Sequence, residues 1–264
     1  MLSLKGHRAL VTGATQGVGR AIAVAIARAG ADIVIHGLRA DVEADQTRSA
    51  CEAEGVRVAV VEGDLATSPV DATARLFRDA AAAMPGIDML VNNAGTCLDT
   101  MHFLELPAEV FARTMRLNVE APFFLTQQFA REWVARGIGG RVVFTGSING
   151  RLAEPTHAAY DTSKGAVEMM VKTLCVSLAP KGIRVNGMAP GLVRTPLTDA
   201  FLSDPAAMRW MQMHTPSGEV PGPEVCGEAV TFLLSDAARH IHGQMLLVDG
   251  GMSTWQQPDV PGDT

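Results

Sequence analysis

Thr12-Gly13-Ala14-Thr15-Gln16-Gly17-Val18-Gly19 joins a short apolar stretch, Arg8–Thr12, to an amphipathic one, Val18–Ala29, that keeps Val18, Ile22 and Ile26 on one face. The first reads as a strand and the second as a helix. The glycines between them fall as G-x3-G-x-G. Glycine allows a tight turn and a close backbone approach to a pyrophosphate. The following helix N-terminus offers that anion free N–H groups and the positive end of its dipole. Plain turns also carry such glycines; the position between strand and helix is what points to a dinucleotide. Gly19 is expected to let the helix lie close against the sheet.

Outward from this turn the same alternation continues. Asp32–His36, Val56–Val61, Asp88–Asn92, Arg141–Gly146, Ile183–Met188 and Gln244–Val248 read as strands. Asp41–Glu54, Val70–Met84, Pro107–Met115, Asn118–Arg136, Ala158–Ala179 and Glu224–Ser235 read as helices, with a helical excursion over Leu197–Met213. Runs such as Ile33-Val34-Ile35 and Val58-Ala59-Val60-Val61 are apolar on both faces, as strands of a parallel sheet covered on both sides must be. Repeated strand–helix–strand units imply right-handed crossovers. The expected fold is α/β: a doubly wound, Rossmann-like parallel sheet of about seven strands with helices on both faces. No linker interrupts it, so residues 1–255 are expected to form a single dinucleotide-binding domain. Residues 256–264, with Pro258, Pro261 and Gly262, read as a loose tail.

Composition narrows the partners. Of 264 residues, 47% are hydrophobic and 19% charged, enough apolar material for a large core. Lys and Arg number 22 against 28 Asp and Glu, a net charge of −6, which disfavours nucleic acid and anionic membrane as partners. No apolar run is long enough for a transmembrane helix, and Lys5, His7 and Arg8 stand where a signal peptide would need an apolar core. Cys51, Cys97, Cys175 and Cys226 are widely spaced, as free thiols in a reducing cytoplasm would be. His240 and His242 lack a third nearby ligand in the sequence, so no metal is expected.

Tyr160 and Lys164 lie four apart on a helix and so share a face. A phenol has an ordinary pKa of about 10. A neighbouring ammonium favours phenolate, which would lower that value and suit the phenol to exchange a proton with a substrate oxygen as hydride moves. Tyr160 is the only tyrosine in the chain, and small residues flank it (Ala158, Ala159, Ser163, Gly165, Ala166). Ser147 ends the fifth strand, at the edge where doubly wound sheets face their ligands, and its hydroxyl can hold a substrate oxygen. Asn92-Asn93-Ala94-Gly95 ends the fourth strand on that edge. Asp64, in Gly63-Asp64-Leu65, can accept from an adenine amino group or simply cap a turn.

Together these motifs resemble the short-chain dehydrogenase/reductase family, in its single-domain branch, from near Leu4 to about Met252. The resemblance rests on Thr12–Gly19, Asn92–Gly95, Asn118 in Leu117-Asn118-Val119, Ser147, Tyr160-x3-Lys164, Pro190-Gly191 and Val248-Asp249-Gly250-Gly251. It implies a catalytic tetrad of Asn118, Ser147, Tyr160 and Lys164. Tyr160 would be the acid/base and Ser147 would orient the substrate oxygen. Lys164 would hold the nicotinamide ribose and lower the tyrosine pKa, and Asn118 would anchor a relay water. The cofactor would run along Gly13, Thr15, Gln16, Gly17, Val18 and Gly19, past Asp64 and Leu65. It would meet Asn93, Ala94 and Gly95 at the adenosine ribose, and Pro190, Gly191 and Thr195 at the nicotinamide, with the Val193 N–H near the carboxamide. Bacterial enoyl reductases of the family put six residues between Tyr and Lys; here there are three.

Members that prefer NAD usually end the second strand with an Asp that grips the ribose hydroxyls. Here that position, at or near Gly37, is empty, and Arg39 follows as a possible 2′-phosphate partner. Gln16 stands where many NADP-preferring members are basic. Both NADP and NAD remain open, with NADP slightly favoured. Asn149, His157 and Arg194 fall in the segments that line family substrate pockets. Polar groups there suit a sugar, polyol or hydroxy acid, with a 3-oxoacyl carrier thioester as the alternative. A non-catalytic dinucleotide sensor would have no use for the Tyr160–Lys164 pair. Finally, Asn118–Arg136 and Ala158–Ala179 carry apolar residues on more than one face, and by the resemblance a homotetramer is expected.

Overall fold

The computed structural model describes residues 2–254; the expected tail, 256–264, lies outside them. Seven strands form one parallel sheet: β1 (Arg8–Val11), β2 (Asp32–Gly37), β3 (Val58–Glu62), β4 (Met89–Asn92), β5 (Arg141–Thr145), β6 (Arg184–Pro190) and β7 (Met245–Val248). Their order is β3-β2-β1-β4-β5-β6-β7. The order reverses between β1 and β4, which opens a crevice at the carboxyl edge of the sheet. Register is set by alternation. Ile33 and Ile35 face one layer with α1 (Gly17–Arg28) and α9 (Glu224–Leu234), where Ile22, Ile26, Val230 and Leu234 are buried. Val34, with Leu10, Leu90, Val142 and Phe144, faces the other layer, formed by α3 (Pro69–Ala83), α5 (Ala121–Arg136) and α6 (Ala158–Leu178). Both faces of the central strands are thus dry, as their unbroken apolar runs require. Trp133 closes the second layer, its indole N–H donating to the Ile87 carbonyl at 2.7 Å.

The remaining helices are α2 (Val42–Glu52), α4 (Ala108–Met115), α7 (Asp199–Leu202) and α8 (Pro205–Met213). Most element ends lie within two residues of the sequence reading, and two regions show more. The helix expected from Asn118 begins as a π-turn, Arg116–Glu120, that joins α4 to α5. The helical excursion expected at 197–213 is present, divided into α7 and α8. Pro205 drives Asp204 into extended backbone, and the Asp204 side chain then accepts from the Ala206 N–H and starts α8 afresh.

Candidate active site

The glycine turn closes tightly. Gly13 and Gly17 both adopt positive φ, and a Cβ on Gly19 would lie 2.0 Å from the Gly13 carbonyl oxygen. Gly19 therefore lets α1 lie against the turn, as expected. α1 starts at Gln16 with no side-chain cap and no acidic residue in its first turn, so its N–H groups and dipole are left for an anion. Arg20 holds the turn from behind, donating to the Thr15 carbonyl, to Thr47 and to Glu43. Asn93 joins it to the sheet: its amide donates to the carbonyls of Thr12 (3.0 Å) and Gly13 (3.1 Å) and accepts from the Thr145 hydroxyl (3.2 Å).

A cleft of about 470 Å³ runs from this turn across the crevice. Gly13, Thr15, Gln16, Gly17, Val18, Gly19, Asp64, Leu65, Asn93, Ala94, Gly95, Tyr160, Lys164, Pro190 and Thr195 all line it. Two residues expected at the nicotinamide end do not line it: the Gly191 N–H donates to Val248, and Val193 is buried with its carbonyl taken by Thr198. Asp64 serves its own turn, accepting from the Ala66 N–H (2.8 Å) and the Thr67 hydroxyl (3.0 Å) while still facing the cleft. Burial raises its pKa, but those two bonds and Arg113, 3.8 Å away, outweigh it and hold the carboxyl low. Cleft volume, glycine turn and uncapped helix fit a dinucleotide.

The end of β2 holds a residue with no local signature in the sequence, His36. His36 is buried, and its Nε2 pairs with the Gly63 carbonyl at 3.1 Å while its Nδ1 faces the Gly13 N–H at 3.4 Å. That pairing requires the Nε2–H tautomer. Burial lowers its pKa to about 4, against the Gly63 bond, so the ring is neutral near neutral pH. Next to it, a Cβ on Gly37 would lie 2.4 Å from the Thr15 methyl, so Thr15 fills the space an Asp side chain would need. Arg39 is exposed just beyond, where the chain turns outward, and Leu38 rather than Arg39 lines the cleft.

Tyr160 and Lys164 project from the first turns of α6. Lys164 is buried; its ammonium donates to the Thr145 carbonyl at 2.9 Å and sits 5.4 Å from the Tyr160 ring centroid. Burial pushes the Tyr160 phenol up to about 12, against a side-chain hydrogen bond with Ser147 that pulls it down. The depressed tyrosine expected from the neighbouring ammonium is therefore not found: burial is the largest influence on the phenol, and the lowering it meets comes from Ser147. Burial also brings Lys164 down to about 8. Ser147 caps the short turn Ile148–Gly150, accepting from the Asn149 N–H at 3.1 Å. Asn118, in the π-turn, clamps Thr96: it accepts from the Thr96 N–H (2.8 Å) and donates to the Thr96 carbonyl (2.9 Å) and to Ser163 (3.0 Å). Its side-chain amide is thus engaged by the protein itself.

The substrate candidates part ways. His157 stands beside Tyr160, ring centroids 6.4 Å apart, and pairs with Glu154 at 3.2 Å. Asn149 is turned into a network, donating to Glu154 (3.0 Å) and Asp161 (2.8 Å). Arg194 is exposed, with its backbone N–H bonded to Pro221.

A family profile described as Enoyl-(Acyl carrier protein) reductase spans residues 13–253. The chain belongs to the short-chain dehydrogenase/reductase family. It is 35% identical to L-rhamnose 1-dehydrogenase (NAD(P)(+)) of a Sphingomonas species, over 96% of this chain and 98% of that one. It is 36% identical to gluconate 5-dehydrogenase of Gluconobacter oxydans, over 96% and 97%. Its fold superposes on a gluconate 5-dehydrogenase from Burkholderia cenocepacia, solved with NADP and tartrate, with a TM-score of 0.89, 33% identity and coverage of 96% and 98%. It is an NAD(P)-dependent dehydrogenase of this family.

Proposed function

We propose that this enzyme moves hydride between NADP or NAD and a secondary alcohol or ketone of a small polyhydroxylated substrate, a sugar or its aldonic acid. The observation that carries the reading is the pair Tyr160 and Lys164 lining the same cleft as the glycine turn, with Ser147 hydrogen-bonded to the phenol. Bound nicotinamide supplies or takes the hydride. Ser147 orients the substrate oxygen and Tyr160 gives or takes its proton. Lys164 steadies the ribose, and its charge stabilises phenolate as it forms. Asn118 anchors the relay water. His157, beside Tyr160, meets the substrate hydroxyls. The polar groups at the mouth and the similarity to rhamnose and gluconate dehydrogenases both favour a sugar. A 3-oxoacyl thioester is the weaker reading, since its acidic carrier would dock on a chain of net charge −6. Assay of sugars, aldonic acids, polyols and 3-oxoacyl thioesters with each cofactor, followed by nicotinamide absorbance, decides it. Turnover confined to the thioesters refutes the sugar reading.

NADP is the favoured cofactor, because no carboxyl group stands at Gly37 to repel a 2′-phosphate and Arg39 is exposed beside it. Arg39→Ala is expected to raise KM for NADP about tenfold or more, the worth of a charge-assisted bond of about 1.5–3 kcal/mol, and to leave NAD kinetics nearly unchanged. Equal effects on both cofactors would remove Arg39 from this role.

We also assign the enzyme to the cytoplasm, where its four unpaired thiols stay reduced. It is a homotetramer in this reading. On α5, Phe123 and Val134 are exposed, and on α6 Met169 and Val176 are 60% and 78% exposed, while the opposite sides of both helices are buried. Such faces fit a two-fold pairing of these helices, with a second two-fold contact along β7. Light scattering is expected to give about four times the 27.9 kDa chain mass. The mass of one chain would refute the assembly, and that of two would leave only the helix pairing.

A further inference from the structure

Asp99 lies in the loop after β4, is fully buried, and belongs to none of the family motifs quoted above. Its Oδ2 accepts from the N–H groups of Ala159 (2.7 Å) and Tyr160 (3.2 Å), capping α6 across a separation of sixty residues. The residue at the N-cap, His157, provides no side-chain cap. On the other side, Ser163 donates to the Tyr160 carbonyl at 2.7 Å and accepts from Asn118, which in turn clamps Thr96 in the same loop as Asp99. The Tyr160 backbone is thereby held at its N–H by Asp99 and at its carbonyl by Ser163, with both restraints meeting in one loop. Capping alone would not call for this arrangement. A Ser, Asp or Asn at position 157, which is only half-buried, would cap α6 locally. Asp99 instead buries a carboxyl whose Oδ1 has no partner, a cost that folding alone does not require.

We propose that Asp99 is a positioning residue for the reaction, fixing the Tyr160 backbone so that the phenol meets Ser147 and the substrate oxygen. This rests on the reading of Tyr160 as acid/base. A displacement of about 1 Å at a reacting group can cost on the order of 10²-fold in rate. Asp99→Ala is therefore expected to lower kcat roughly 10–100-fold. Cofactor binding and cofactor KM, which depend on the glycine turn, should change less than about threefold. Asp99→Asn keeps an acceptor oxygen in place and is expected to restore kcat to within about fivefold of wild type. Activities are counted per cofactor site, titrated by nicotinamide fluorescence, so that unfolded protein does not enter. Should Asp99→Ala yield no folded enzyme, Asp99→Glu replaces it with the same thresholds, because the added methylene displaces the anchor without removing it. A kcat within about twofold of wild type in the folded variant, or an Asn variant as slow as the Ala variant, overturns the proposal. Tyr160→Phe is measured alongside. If that variant keeps turnover, the reading of Tyr160 fails; if it is inactive while the Asp99 variants are normal, only the positioning role fails.

Discussion

Tyr160→Phe is expected to lower kcat by about 10²–10⁴-fold while leaving cofactor affinity within about threefold. The substitution removes one oxygen. The ring stays where α6 puts it, beside His157 and under Lys164, and the glycine turn is far along the cleft. What disappears is the hydroxyl that pairs with Ser147 and exchanges a proton with the substrate. Because burial holds that phenol near 12, it enters ketone reduction protonated, the form a general acid needs. No second tyrosine can take over, as the chain has none. Turnover within threefold of wild type, with cofactor bound normally, would exclude proton transfer by Tyr160.

The elements that made this site legible in the sequence are those with a local signature. Ile33-Val34-Ile35 is apolar on both faces because two helical layers cover β2, and the run reports that directly. The glycines at 13 and 19 report close contacts that no side chain could share, and Gly17 reports a left-handed backbone turn. Tyr160 and Lys164 report their common face by their spacing of four. The residues that escaped notice act through tertiary pairs instead. Asp99 meets Tyr160 sixty-one residues away, and His36 on β2 meets Gly63 just beyond β3. Neither pairing leaves a periodic pattern, so each residue reads as an ordinary loop aspartate or strand histidine. Gly37 is an intermediate case. Its lack of a carboxyl group was visible and suggested cofactor choice. The reason for the glycine, a Thr15 methyl in the way, was not.

Burial also misled the one quantitative expectation. Spacing placed an ammonium beside a phenol and so implied an acidic tyrosine. In the folded chain the same burial that brings the two groups together disfavours charge on both, lifting Tyr160 to about 12 and dropping Lys164 to about 8. Of the two groups, the lysine is therefore the one that titrates closer to neutral pH.

Lys164→Met is accordingly expected to cost about 10²–10³-fold in kcat, comparable to removal of one preorganised donor at a site of developing charge. Unlike Tyr160→Phe, it should also weaken cofactor binding, because the same ammonium is assigned to the nicotinamide ribose. The pH profile separates the two roles further. Below pH 8 Lys164 is charged, stabilising phenolate and donating to Thr145; above it the charge is lost. In ketone reduction, kcat/KM should be level up to about pH 8 and fall about tenfold per pH unit beyond, as a single deprotonation requires. The phenol, near 12, does not titrate in that range. Lys164→Arg keeps its charge throughout, so whatever activity it retains should lack the break. A fall near pH 8 that persists in the arginine variant would assign the titration to another group and leave Lys164 without an electrostatic part in the reaction.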